Sequence, residues 1–566
     1  MSQELNQTPP AQWSREQMRA AVLADVDTEI REAWAEALKK HGKKLDQDRI
    51  DPPLAHALHE GEAKPDPKPK KYTIKQLQHY MNRNELGDLE LLIERCGDVY
   101  CFDKKAKKWW RFTGGIWSED AVSELGREVM ALGDHYEKGA LEQWKVVESP
   151  ETREERALTK AKELHADLTK KAKALRGSSR RENVIKTATI GSESFAISGE
   201  EWDRHPTLLA CANGYVDMET GKLYKPDPKL YLRQRSPYPY YGLHTYDPFF
   251  DEMVRKILCD RDGLLDYLPK VVGYAATGNL THKEFYVAYG PEGDNGKSLL
   301  FKGFLKAIGT YGATLRTDLL LENKKQINED PFWIALKDKR MAVASEAKKG
   351  SKFSMDKIKL VTGSDGTVVR GLYAEPTELF FPTKLILHSN YIPTAHGGDV
   401  AFMKRMRIIP FNAKFTTNPR EVDEENHVHL AMDMNAVKQR LEAAGPAVLS
   451  YIIRGAKSYL SNLDLTPPSE VLELTKEWAE DQDIIGEFLN ICCTSGKHEK
   501  NQVKPTYHAF KRYCIEEKEF QPNHVPGFRS FVEDMVRRKG ITKDTSSNFH
   551  YFRGIRVNQE WEATNE

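Results

Sequence analysis

The sequence predicts an α/β protein built around a parallel sheet, and three observations carry that expectation. Between Pro248 and about Phe411, apolar runs of strand length alternate with helical stretches. One of those runs, Phe285 to Tyr289, leads through a glycine-rich turn into the apolar-periodic Leu299 to Ile308. The chain has 566 residues, 40% of them hydrophobic, which is enough for more than one core.

Charge is balanced, with 84 Lys+Arg against 84 Asp+Glu, so a uniformly basic nucleic-acid coat is excluded and local basic surfaces are not. No apolar run approaches the ~20 residues a membrane helix needs, and Met1 to Arg15 has no apolar signal core. A cytoplasmic protein without a membrane partner is expected. The seven cysteines form no CxxC pair and no Cys/His cluster at zinc spacing, so reduced thiols are expected. No period of 20 to 50 residues repeats, which excludes solenoids and propellers.

Read in order, Glu16 to Lys44 is helix-like, and the Pro/Lys alternation from Lys64 to Lys71 reads as a tether. From Tyr72 the chain turns globular. Val99 to Phe102, Trp109 to Phe112 and Gly114 to Trp117 suggest short antiparallel strands, and Glu119 to Arg181 is helical with a stop at Gly177. Asn213-Gly214 and Thr220-Gly221 are turn signals between short strands. Asp423 to Leu460 looks helical, and Pro467-Pro-Ser-Glu470 stops that run and caps another helix. Helices over Tyr507 to Lys518 and Pro526 to Lys539 then precede a hairpin within Ile541 to Val557. Gln502 to Arg556 holds eleven Lys/Arg against six Asp/Glu, an excess of five positive charges.

The strongest chemical signal is Phe285-Tyr-Val-Ala-Tyr-Gly-Pro-Glu-Gly-Asp-Asn-Gly-Lys-Ser298. Strand, glycine turn, Gly-Lys-Ser and helix form a P-loop arrangement, in which free amides and a helix N-terminus hold phosphate oxygens. Gly290, Gly293, Asp294, Asn295, Gly296, Lys297, Ser298 and Leu299 are its binding residues. Lys297 should reach the β- and γ-phosphates of ATP, and Ser298 should hold Mg²⁺. The spacing departs from GxxxxGK[ST]: Gly290 lies one residue early and Pro291 occupies the first-glycine position.

Arg340-Met-Ala-Val-Ala-Ser-Glu346 is an apolar strand ending in an acid, and Glu346 is the candidate for orienting the attacking water and for the metal's outer shell. Lys384-Leu-Ile-Leu-His-Ser-Asn390 ends in an amide suited to contacting the γ-phosphate or that water. In Phe402-Met-Lys-Arg-Met-Arg-Ile-Ile-Pro-Phe411, Arg405 is the candidate arginine finger.

These elements in this order resemble the superfamily 3 helicases, in the poxvirus-type primase-helicase branch of phages, satellite phages and plasmids. Val361-Thr-Gly-Ser-Asp365, Val369-Arg-Gly-Leu-Tyr373, Leu209 to Gly221 and the tryptophans from Trp109 to Trp117 add to the likeness, which covers about Tyr72 to Val557. The resemblance implies an AAA+-like ATPase core with a parallel central sheet, an N-terminal α+β pre-helicase domain and a C-terminal winged helix. The corresponding division is 1–71 helix and linker, 72–246 pre-helicase, 247–415 ATPase, 416–498 helical extension and 499–566 winged helix. It further implies a homo-hexamer with Arg405 acting in trans, movement 3′ to 5′ on single-stranded or forked DNA, and replication of a mobile element in a bacterial cell.

A pore hairpin would map to Thr362 to Glu375, placing Lys357, Lys359, Arg370 and Tyr373 near the DNA backbone. Arg529, Arg537, Arg538 and Lys539 would serve the winged helix. The residues before Tyr72 hold no carboxylate pair suited to priming, so a separate primase or origin-binding protein is the expected partner. Three other readings use the same residues: a DNA-binding ATPase switch in replication control or defence, a non-enzymatic DNA-binding regulator, and a small-molecule kinase. The intact set Lys297, Ser298, Glu346, Asn390 and Arg405 argues against the regulator, and the unexplained C-terminal unit argues against the kinase.

Overall fold

The structure, a computed structural model, describes residues 71–149, 154–191, 194–322, 330–363, 366–370, 376–395, 399–522, 525–546 and 549–561. Glu16 to Lys44, most of the Pro/Lys segment and Tyr373 lie outside the described residues.

The first part opens with α1 (Ile74–Asn82), started by a reciprocal Thr73–Gln76 capping box, and α2 (Asn84–Cys96). Strands β1 (Tyr100–Asp103), β2 (Lys108–Thr113) and β3 (Ile116–Glu119) follow, then α3 (Leu125–Glu148), α4 (Glu155–Arg176), α5 (Ser178–Thr187) and β4 (Ala196–Ile197). The sheet order is β3-β2-β1-β4, antiparallel except for the β1–β4 pair. The helices bury Leu91, Leu92, Leu132, Tyr136, Leu168 and Leu175 against one another. The expected helix stop at Gly177 is only a corner. Its extended backbone (φ −73°, ψ 149°) ends α4, and Ser178 begins α5 at once.

Strands β5 (Leu208–Cys211), β6 (Gly214–Asp217) and β7 (Lys222–Tyr224) form the expected antiparallel meander. The Asn213 side chain holds its turn by bonding both the amide and the carbonyl of Tyr240, each at 2.9 Å. Leu209, Cys211, Val216, Met218 and Tyr240 share one core with the helices that follow, so burial runs across the segment near residue 246.

The central part contains α6 (Pro248–Ile257), α7 (Asp262–Ala276), β8 (Phe285–Tyr289), α8 (Lys297–Ile308), β9 (Gly312–Leu315), α9 (Asp330–Ala335) and β10 (Met341–Ser345). It continues through α10 (Met355–Thr362), β11 (Thr367–Arg370), β12 (Pro376–Leu379), β13 (Lys384–Ser389), α11 (Val400–Met403) and β14 (Met406–Pro410). Five strands make one wholly parallel sheet in the order β14-β8-β13-β10-β9, and β11–β12 is a separate antiparallel hairpin. Both faces are covered, and the strands are correspondingly apolar throughout. Tyr286, Ala288, Met341, Val343 and Ile386 face one core, while Phe285, Val287, Ala342, Leu385 and Leu387 face the other.

Two cations are buried at the amino edge of this sheet. Arg340 donates to the carbonyls of Leu208 (2.9 Å), Ala276 (3.1 Å) and His205 (3.1 Å), with its guanidinium 4.3 Å from the Tyr311 ring centre. Lys384 donates to Thr277 O (2.6 Å) and Pro382 O (3.0 Å) over the Tyr274 ring. Ala276 and Thr277 end α7, where the helix dipole is negative and favours cations.

Beyond the sheet lie β15 (Lys414–Thr416) and β16 (Val428–Leu430), a short parallel pair, followed by α12 (Met434–Ala443) and α13 (Gly445–Leu460). The helix expected from Asp423 therefore begins only at Met434. Asp423 bonds the amide and side chain of Asn426 and closes a turn instead. Next come α14 (Ser469–Gln482), α15 (Ile484–Cys492), β17 (Cys493–Gln502), α16 (Val503–Glu516), α17 (Phe528–Val536), β18 (Thr542–Ser546) and β19 (Phe549–Val557). The last three strands pair antiparallel as β17-β19-β18, with Phe488, Phe510, Phe531 and Phe552 in the core beneath them. The two helices and the hairpin expected here are present, although α17 is shorter than its sequence pattern. All seven cysteines are buried and free. Among the described residues, no helix is long and apolar enough to cross a membrane.

Candidate functional site

The carboxyl ends of β8, β10 and β13 converge on one edge of the sheet, where open-sheet α/β folds bind ligands. After β8 the chain loops through residues 290 to 296, and Gly296 enters α8 with left-handed backbone (φ 78°). A Cβ on Gly296 would meet Ile257 Cδ1 at 2.6 Å. At Gly290 it would lie 2.4 Å from Phe411 O and 2.8 Å from Lys297 Nζ, so the glycine displaced by one residue is the one the backbone packing requires. Asn295 is buried and donates to Glu292 O at 2.7 Å, which closes the loop on itself. Asp294 O accepts the Phe415 amide at 2.8 Å and ties the loop to β15. No heavy atom lies within 4 Å of a Cβ built on Gly293, so space is open there. Leu299 is half-buried and packs against the core behind the loop.

Lys297 is buried, and its ammonium donates to Gly290 O (3.1 Å) and to Asn390 Oδ1 (3.0 Å). Burial pulls its pKa down to about 8, partly opposed by the Glu346 carboxylate. Glu346 follows β10 with left-handed backbone (φ 65°), its amide bound to His388 O at 3.1 Å and its side chain exposed. Ser298 Oγ lies 3.4 Å from His388 Nδ1. His388 is buried and held neutral, its pKa pushed down to about 4 by burial and then by the Lys297 and Lys302 ammoniums. Lys297, Ser298, Glu346 and Asn390 are thus brought together.

This donor set fits a phosphate with a divalent cation. The first-turn amides of α8 have no partner within the helix, the lysine already binds oxygen acceptors, and a hydroxyl and a carboxylate supply hard oxygen ligands.

Arg405 is not brought to that edge. Its carbonyl accepts the Phe285 amide (2.8 Å) where β8 begins, and Nη1 donates to Thr362 Oγ1 (2.9 Å). With Met406 paired to Phe285 and Pro410 to Tyr289, the whole strand separates it from the loop, about 20 Å at ~3.3 Å per residue.

The expected DNA contacts are dispersed. Lys357 is half-buried on α10, and Lys359 is paired with Asp399 (2.7 Å) and Asp356 (3.3 Å). Arg370 is exposed at the end of β11, where its amide donates to Asp330 (3.1 Å). The Arg529 side chain is 94% exposed, and Arg537 lies 3.5 Å from Asp534. Arg538 grips Asp483, the cap of α15, and so staples α17 to it. Arg537, Arg538 and Lys539 line a cleft of about 820 Å³ with Lys497 and Val400.

Sequence reasoning gave His388 and Ser389 no role. Ser389 Oγ accepts the amides of Ala347 and Tyr391, each at 3.1 Å, and so shapes the turns around Glu346 and Asn390. The signal for His388 was the strand's period of two, which puts it on the same face as Asn390.

Residues 90–259 match the D5 N terminal like family. The chain is 24% identical over 417 residues to "Putative helicase L207/L206" of Acanthamoeba polyphaga mimivirus, covering 71% of this chain and 42% of that protein. It is 23% identical over 387 residues to "Putative helicase 121R" of Invertebrate iridescent virus 3, covering 64% and 40%. The chain therefore spans about two fifths of the length of these two relatives. A solved structure titled as the apo structure of the NrS-1 C terminal region (305-718) aligns over 81% of this chain and 88% of that chain, at 12% identity and TM-score 0.39. The family match and the viral relatives bear out the resemblance to primase-helicases.

Proposed function

We propose that this chain is the ATP-driven motor of a DNA helicase, working as a ring, in number six by resemblance, that moves 3′ to 5′ during replication of a mobile element or virus. One observation carries the reading: the Lys297 ammonium, at the start of α8, is held between the loop carbonyl of Gly290 and the Asn390 amide oxygen, beside Ser298 and Glu346. The strand order supports a P-loop, AAA+-like core over 247–415. The Asn390 strand lies between the loop strand and the Glu346 strand, so the three ends stand side by side. The β17-β19-β18 sheet with α15 to α17 supports a winged-helix reading of a unit that begins near Ile484 and not at residue 499, because Ile485, Phe488 and Cys492 are buried in its core; 72–246 and the residues from 416 to that point take the pre-helicase and helical-extension roles.

On this reading Lys297 exchanges its two internal acceptors for phosphate oxygens. Glu346 is exposed and can orient a water and take its proton, while Asn390 fixes that water or the terminal phosphate by hydrogen bonds. Mg²⁺ held by Ser298, with Glu346 through water, would supply charge neutralisation at the phosphates. Arg405, an entire strand away from its own loop, serves the loop of a neighbouring subunit.

The test is ATP hydrolysis with and without single-stranded DNA, for the native chain, Lys297→Ala and Arg405→Ala, together with native mass and strand displacement. DNA-stimulated turnover in an assembly, lost in both variants and coupled to unwinding, is expected. Hydrolysis without strand separation would favour the ATPase-switch reading. Hydrolysis that survives both substitutions would sink the site assignment.

A further inference from the structure

We infer that His388 is a positioning residue of the nucleotide site: its ring accepts the Ser298 hydroxyl hydrogen and so turns the Ser298 oxygen toward a divalent cation. The inference rests on the nucleotide-binding reading above. Along β13, Leu385 and Leu387 enter one core and Ile386 the other, so His388 continues the Ile386 face toward α8. There its imidazole lies parallel to the Phe301 ring, with 6.0 Å between centres and 3° between planes. That stacking sets the ring plane and leaves Nδ1 3.4 Å from Ser298 Oγ. The same residue's carbonyl accepts the Glu346 amide at 3.1 Å. One residue therefore reaches both groups assigned to the cation, Ser298 through its ring and Glu346 through its main chain.

The chemistry follows from what a hydroxyl ligand must do. Serine binds a cation through an oxygen lone pair, so its hydrogen has to point away and needs an acceptor. An imidazole nitrogen lone pair is such an acceptor. At 3.4 Å the bond is long, and hydrogen bonds of binding sites often tighten only when a ligand is held. His388 thus does for Ser298 what outer partners do for metal ligands generally, fixing orientation and raising basicity.

The experiment measures binding of a fluorescent mant-ADP to the full chain, first in EDTA and then in Mg²⁺. The proteins are native, His388→Leu, His388→Asn, Ser298→Ala and Ser298→Ala combined with His388→Leu, with thermal melts as the folding control. Asparagine can present its side-chain oxygen near the position of Nδ1, whereas leucine offers no acceptor.

Native protein should bind more tightly in Mg²⁺. His388→Leu, read against its own affinity in EDTA, should lose roughly five- to tenfold of the Mg²⁺-dependent gain, the scale of one hydrogen bond to a metal ligand. His388→Asn should keep most of that gain. On Ser298→Ala, the leucine change should add nothing further.

A full Mg²⁺ gain in His388→Leu would overturn the inference, as would an asparagine variant no better than leucine. If leucine prevents folding, His388→Phe, which keeps a ring against Phe301 and offers no acceptor, takes its place and should lose the same gain. Native protein that binds no mant-ADP, with Lys297→Ala indistinguishable from it, would instead remove the nucleotide reading itself.

Discussion

Replacing Arg340 by methionine tests how the segment around Leu208 is attached to the parallel sheet. The guanidinium supplies three hydrogen bonds to main-chain carbonyls, two of them 132 and 135 residues away in sequence, and lies over Tyr311. Methionine keeps the apolar stem and removes every donor. His205 O keeps the Leu208 amide at 3.3 Å, so two carbonyls are orphaned at about 1–3 kcal/mol each, and the buried cation–π contact adds about 2 kcal/mol. Against this, burial works against the charged guanidinium and pulls its pKa down, so removing the charge returns part of the loss. The balance is a net loss of about 3–5 kcal/mol.

The loss should be local first, because β5 depends on this clamp. The Ala210 amide, which donates to Tyr311 Oη at 3.0 Å, should lose about a hundredfold or more of its hydrogen-exchange protection, and calorimetry should show a lower transition. Arg340→Lys should recover little, since an ammonium cannot bridge three acceptors in a plane. A change below about 1 kcal/mol, with Ala210 protection intact, would refute the account of this residue as a clamp and make it an incidental buried cation.

Further outcomes concern Lys297, Gly290, Arg538 and Arg529. Lys297 has a pKa of about 8 in the free protein and must be charged to hold phosphate, so binding takes up a proton above that pH. Affinity for mant-ADP should fall about tenfold between pH 7 and 9, as calorimetry in buffers of different ionisation heat would show, whereas a flat profile would mean an ordinary lysine. Gly290→Ala should abolish nucleotide binding by fluorescence titration while the chain still folds, because its Cβ would face Phe411 O at 2.4 Å. Arg538→Ala should lower the melting of the C-terminal unit by about 1 kcal/mol through loss of its half-exposed Asp483 pair, whereas Arg529→Glu should leave melting unchanged and weaken DNA binding in a filter assay.

Much of the site was legible because its elements are local. An apolar run, a glycine turn and a lysine followed by helical periodicity lie within about twenty-five residues, and the same holds for the runs ending at Glu346 and Asn390. What escaped depends on pairings across the chain. The acceptors of Arg340 and Lys384 come from the end of α7 and from residues 205 to 208, so two strand-leading cations that look solvated are buried. The β15–β16 pair is three residues long on each side and carries no periodic signal. His388 could have been placed by the strand's period of two, which puts it on the face of Asn390, but an imidazole on an apolar strand is ordinarily a packed one.

The separation of Arg405 from its own loop has a counting consequence. If Arg405 serves a neighbour's loop, as proposed, each chain carries half of a catalytic unit at one edge of its sheet and the complementary half at the other. A row of such chains therefore completes one unit fewer than it has members, leaving a spare loop at one end and a spare arginine at the other. Only closing the row on itself uses every half, and one defective member then disables two junctions, one on each flank. Mixing Lys297→Ala with Arg405→Ala chains makes this visible: junctions that draw an intact loop from one variant and an intact arginine from the other should restore hydrolysis that neither shows alone.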